Sequence, residues 1–120
     1  DWRAAQAQEL AAKYLRPPAA RLVQAQSGAL PQAQSLLQVQ GTSVALSSLY
    51  EDTESGAVLV RVWETAGKAQ TVTFTGPFTS GTATAVNLLN EASEPAPAGQ
   101  AGDWQLNLPA WGIRTVRITR

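Results

Sequence analysis

Carboxylates are the side chains in this sequence best suited to chemistry, because two of them converging on one bond can share acid/base work of the kind that cleaves sugars. Glu51, Asp52 and Glu54 cluster, but in the turn-rich stretch Glu51-Asp52-Thr53-Glu54-Ser55-Gly56, where acidic side chains cap backbone amides and stay wet. Glu64 follows Arg61 by three residues at the end of an apolar run. Arg61 and Glu64 could form an ion pair facing a partner; the plainer reading is an ordinary charge at a strand end. Hydroxyls are plentiful, yet a Ser or Thr nucleophile needs a neighbouring base. The sequence contains no histidine and no cysteine, so no triad can be assembled and the usual zinc ligands are missing. No glycine-rich phosphate loop precedes a helix. The four tryptophans (Trp2, Trp63, Trp104, Trp111) are the one class able to bind sugar directly. Trp104 and Trp111 flank Pro109 and could form a stacking platform at a rim, against the commoner use of indoles in cores and interfaces. Taken alone, these residues describe a non-catalytic β domain.

The elements that must carry these side chains change character along the chain. Residues 3–14 (RAAQAQELAAKY) are strong helix formers, with Trp2, Gln6, Leu10 and Tyr14 on one thin apolar stripe. Pro17-Pro18 ends that helix, and residues 19–35 read as an irregular, extended connector. From Leu36 the period becomes two. The expected strands are 36–40, 44–50, 57–64, 70–75, 83–90, 104–108 and 113–119, separated by Gly, Pro, Asn and Asp turn signals. About seven short strands at this spacing predict an all-β fold, an antiparallel β-sandwich over 36–120, preceded by a short helix and connector over 1–35. Val58, Val60 and Val62 alternate with Leu59, Arg61 and Trp63. In the last strand Ile113 has the opposite parity from Val116 and Ile118, so either both faces are covered or a bulge near Arg114–Thr115 resets the register; the bulge is the favoured reading. Residues 91–103 (EASEPAPAGQAGD) have the composition of an exposed, mobile loop.

Composition limits the partners. The 120 residues carry nine basic and nine acidic side chains, a formal net charge of zero, and only 15% charged residues. That leaves no basic patch for nucleic acid or an anionic membrane, and Arg114, Arg117 and Arg120 read as a solvated strand face rather than a phosphate site. No apolar run approaches the roughly 18 residues a membrane span needs. A cysteine-free chain suits a cytoplasmic location. No signal peptide opens the sequence and it lacks methionine, which points to a start inside a longer protein.

Six segments in order resemble the C-terminal region of glycoside hydrolase family 38, the retaining α-mannosidases. They are Ser27-Gly28-Ala29-Leu30-Pro31, Ser35–Val39, Val44–Tyr50, Val60-Arg61-Val62-Trp63-Glu64-Thr65-Ala66-Gly67, Ala85–Glu91 and Leu108–Ile118 with its Pro109 and Ile113-Arg114-Thr115. The opening Asp1-Trp2-Arg3 is similar to the end of the family's His-x-Gly-Asp-Trp-Arg stretch, and Trp63 stands where the family usually has Tyr or Phe. The resemblance implies a parent enzyme that hydrolyses terminal α-mannosides through a covalent intermediate, with an Asp nucleophile and a divalent metal, usually zinc, in a separate N-terminal domain. None of those residues maps onto a position of this sequence, so no catalytic, cofactor or metal residue is expected here. The expected role is structural, with Arg61, Trp63 and Glu64 facing another domain or the cleft, and the rest of the parent chain as partner. The rival readings are an independent carbohydrate-binding module using Trp104 and Trp111, and a generic immunoglobulin-like interaction domain.

Overall fold

The computed structural model describes residues 5, 7–24, 27–29, 31–93 and 96–119. Residues 1–31 and 32–120 form two separate units. In the first, helix α1 (Ala7–Leu15) leaves every residue exposed. An ion pair joins Lys13 and Glu9 at 2.8 Å, a surface contact of a few tenths of a kcal/mol. The helix stops just before the two prolines, as the sequence requires. Trp2 and Gln6 of the expected stripe lie outside the described residues, and Leu10 and Tyr14 are both exposed.

The second unit is a sandwich of two four-stranded antiparallel sheets. Its strands are β1 (Gln38–Gln40), β2 (Val44–Glu51), β3 (Val58–Glu64), β4 (Gln70–Thr75), β5 (Thr82–Val86), β6 (Ala98–Gln100), β7 (Asp103–Leu108) and β8 (Ile113–Thr119), with a 3-10 turn at Pro77–Thr79. One sheet runs β1-β4-β7-β6 and the other β2-β3-β8-β5. Alternation decides which side chains meet between them. Val58, Val60 and Val62 face Val72, Phe74, Leu106 and Leu108, closed by Val116 and Ile118. Burying these branched and aromatic groups is the main source of stability, at roughly 1.5–3 kcal/mol for each fully buried side chain.

Three expectations are corrected. The last strand has no bulge: β8 pairs with β3 in continuous register from Ile118 to Ile113. Ile113 lies on the outer face with Thr115 and Arg117. The irregularity sits instead in β2, between Leu46 and Ser48. The strand expected over 83–90 stops at Val86, because the Asn87 side chain accepts the amides of Leu89 and Glu91 and turns the chain. The segment 91–103 is not wholly a loop. Ala92 bridges Val86, and Ala98–Gln100 forms an edge strand on β7. Gly99 (φ 119°) makes that pairing possible, since a Cβ there would collide with the carbonyl of Asp103. The count is therefore eight strands rather than seven.

Candidate functional site

At the end of the sandwich where β3 finishes, Glu64 points inward, in register with Val44 across the strand pair. It is 0% exposed, yet it makes no ion pair with Arg61, which lies on the opposite face. Its partners are backbone amides. Oε1 accepts the N–H of Ala66 at 2.8 Å, and Oε2 accepts those of Gly67 at 2.6 Å, Lys68 at 3.1 Å and Trp111 at 3.1 Å. One carboxylate thus ties the turn after β3 to the turn between β7 and β8. Burial alone would raise its pKa; the amides of Trp111, Ala66, Gly67 and Lys68 outweigh that and hold it below the ordinary 4.5. A carboxyl held ionised, with both oxygens occupied, cannot deliver a proton near neutral pH.

Trp111 shows what this clamp restrains. Its backbone is left-handed at φ 56°, which a bulky residue adopts only when its surroundings enforce it. Its amide is held by Glu64, and its indole, on a residue 57% exposed, lies over Gly67. Gly67 is itself left-handed (φ 76°), and a Cβ there would come within 2.7 Å of the indole carbons. Gly67→Ala is accordingly expected to cost about 1–2 kcal/mol in backbone strain and to displace the indole. Chemical denaturation with the Trp111 indole N–H resonance as reporter measures both; an unmoved resonance would show that the ring does not rest on this glycine.

The two tryptophans expected at a rim are separated. Trp104 faces the core opposite Phe74 and donates its indole N–H to the carbonyl of Thr79 at 3.0 Å. Trp111 lies past the far end of β7, beyond about 14 Å of strand. They do not form one platform. The acidic turn is a turn: Asp52 Oδ1 accepts the amide of Glu54 at 3.2 Å, and Oδ2 the hydroxyl of Ser55. Those two bonds, the Ser55 one first, hold the Asp52 carboxyl below its ordinary 3.8. Among the described residues no three His, Cys, Asp or Glu side chains come together in a way that fits a metal ion.

The outer face of the β2-β3-β8-β5 sheet gathers what remains. Across it run Ala45, Trp63 and Ile113, then Ser48, Arg61, Thr115 and Val86, then Tyr50, Leu59, Arg117 and Thr84. The middle of this face is closed, with Leu59, Thr115 and Val86 buried. Its end is open, with Trp63 37% and Ile113 51% exposed beside each other. Arg61 spends its Nε–H on Thr115 Oγ1 at 3.0 Å, and the buried Ser48 hydroxyl across from it has no partner among the described residues. Alternation in the sequence sets Arg61 and Trp63 on one face, as the strand register does. It missed the clamp at Glu64, whose partners are backbone amides and carry no side-chain signature.

A family model described as "Glycosyl hydrolases family 38 C-terminal beta sandwich domain" matches residues 43–116, from the start of β2 through most of β8. No curated protein and no solved structure is similar enough to this chain to match it.

Proposed function

The chain belongs to the glycosyl hydrolase family 38 C-terminal β-sandwich domain family, and from that premise we propose that it is the structural, non-catalytic terminal sandwich of a retaining, metal-dependent α-mannosidase. The observation that carries this reading is the outer face of the second sheet. An exposed Trp63–Ile113 pair, an arginine bonded through its Nε–H and a buried hydroxyl without a partner among the described residues lie side by side there. Aromatic and arginine side chains of this kind are the usual anchors of a protein interface. The occupant proposed is the rest of the parent chain, with zinc or another divalent metal and the nucleophile in that other part. Arg61 and Trp63 form the docking surface, near enough to the cleft to help line it, while Glu64 supports the turns beneath. A cysteine-free sequence suits a cytoplasmic home for such an enzyme.

The test compares the 120-residue chain with the parent enzyme. The chain alone is expected to release no mannose from an aryl mannoside; measurable turnover by the pure chain would refute the reading. In the parent, Trp63→Ala combined with Arg61→Gln is expected to lower the unfolding midpoint by clearly more than in the chain alone, where only the Arg61–Thr115 bond and the covered part of the indole are lost. Equal shifts in both would mean that this face docks nothing.

A further inference from the structure

The charge pattern on the outer face of the β2-β3-β8-β5 sheet bears on what covers it. Strand register sets Arg61 and Arg117 there on neighbouring strands, Arg61 opposite Thr115 and Arg117 opposite Leu59. Such diagonal neighbours are about 7–8 Å apart, within reach of long side chains. The positions that pairing assigns to this face hold these two cations and no Asp or Glu. Among the described residues neither arginine has a carboxylate within ion-pair distance. Two acids off the strand ends are engaged locally. Asp52, next after β2, feels Arg117 but accepts the Glu54 amide and the Ser55 hydroxyl. Glu91 accepts an N–H of the Asn87 side chain at 2.9 Å.

Arg61 is the better-held cation. Its Nε–H is fixed on Oγ1 of the buried Thr115 at 3.0 Å, which sets the plane of the guanidinium. Arg117 makes one long bond, Nη1 to the Asn90 carbonyl at 3.4 Å. Two residues along β3 from Arg61 stands Trp63, exposed beside Ile113 on the same face. A small free anion would answer the cations but leave the indole and the isoleucine in water. A protein surface answers both, and a planar carboxylate matches a guanidinium through two parallel bonds. We propose that the surface docking on this face sets an Asp or Glu side chain against Arg61, within Coulomb reach of Arg117, with an apolar patch beside it over Trp63 and Ile113. The proposal rests on the reading of this face as the docking surface for the rest of the parent chain, and adds the chemistry of the occupant. Opposite charges that meet at an interface fix its register and reject wrong partners, because like charges forced together there are costly.

The test is a set of thermal melts, at low salt, of the parent enzyme and of the 120-residue chain, each carrying Arg61→Gln or Arg61→Glu, with Trp63→Ala as the control for docking itself. In the chain alone both Arg61 variants lose the bond to Thr115, and the new carboxylate of Arg61→Glu lies beside Arg117, so Arg61→Glu should melt no lower than Arg61→Gln. In the parent the order reverses. There Arg61→Glu presses like charges together and should lower the unfolding midpoint at least about twice as far as Arg61→Gln. Should the Arg61→Glu parent fail to fold, Arg61→Lys, which keeps the charge, supplies the readout: it should melt above Arg61→Gln in the parent by more than it does in the chain alone. Trp63→Ala losing more in the parent than in the chain, while the charge of residue 61 makes no difference there, would overturn the acidic partner and leave the docking face standing. Losses equal in parent and chain for all the variants would overturn both.

Discussion

Glu64→Ala is expected to lower the thermal midpoint of the domain by roughly 10 °C or more, because four backbone amides lose their acceptor at once. Water can reach some of them where the turns are open, but not without loosening the contact between the two turns. Trp111 would then lose the bond that holds its left-handed backbone. Glu64→Gln is the sharper variant. It keeps the volume and one acceptor oxygen but sets an NH₂ group against amides that also donate, so it should lose most of what alanine loses. Thermal melts followed by circular dichroism measure both variants, and a drop under about 3 °C for either would show that the clamp contributes little.

Acid dependence provides an internal check on the same residue. The folded-state pKa of Glu64 lies below its ordinary 4.5, so its contribution is fully present above that value and is lost as pH falls through the lower, folded one. The gap between wild type and Glu64→Gln should be constant at neutral pH and narrow below about pH 4.5. Asp52, also depressed, adds acid sensitivity of its own, but it is common to both proteins and cancels in the difference.

Phe74→Ala is expected to cost about 3–5 kcal/mol, as removal of a buried aromatic ring usually does. Phe74 is 1% exposed at the centre of the first sheet, between Val39 on β1 and Trp104 on β7. Its loss opens a cavity that neighbours fixed in strand register cannot fill. Against a typical domain stability of about 5–15 kcal/mol, the variant would be left marginal. Urea denaturation at constant slope measures the change; a loss below about 1.5 kcal/mol would mean that Trp104 collapses into the space.

How much of this was legible from sequence follows from where the information is carried. Gln70–Thr75 and Ile113–Thr119 are the observed strands to the residue, because apolar side chains mark them and turn formers bound them. β6 was hidden, since Ala98-Gly99-Gln100 pairs through its backbone and needs a missing side chain rather than an apolar one. Leu88 and Leu89 look like strand residues in sequence, while β5 ends at Val86 because of what the Asn87 carboxamide accepts. The odd parity of Ile113 suggests a bulge in sequence, whereas on a continuous β8 it is an exposed neighbour of Trp63. Trp104 and Trp111 look alike in sequence, and only topology separates an inward ring from a turn-top one. For Ile113 and the two tryptophans the missing information was a contact between positions distant in the chain; for β6 and the end of β5 it was a local contact that leaves no apolar pattern.

The position of β8 between β3 and β5 has a consequence for biosynthesis. β3 and β5 leave the ribosome well before their common neighbour, and neither pairs with the other. Half of the sandwich therefore stays unzipped until the polypeptide has been translated through Thr119, with valine-rich β3 open along one edge in the meantime. A premature stop codon only a few positions upstream would remove the seam of that sheet rather than trim a tail, leaving a nascent product suited to chaperone capture or proteolysis.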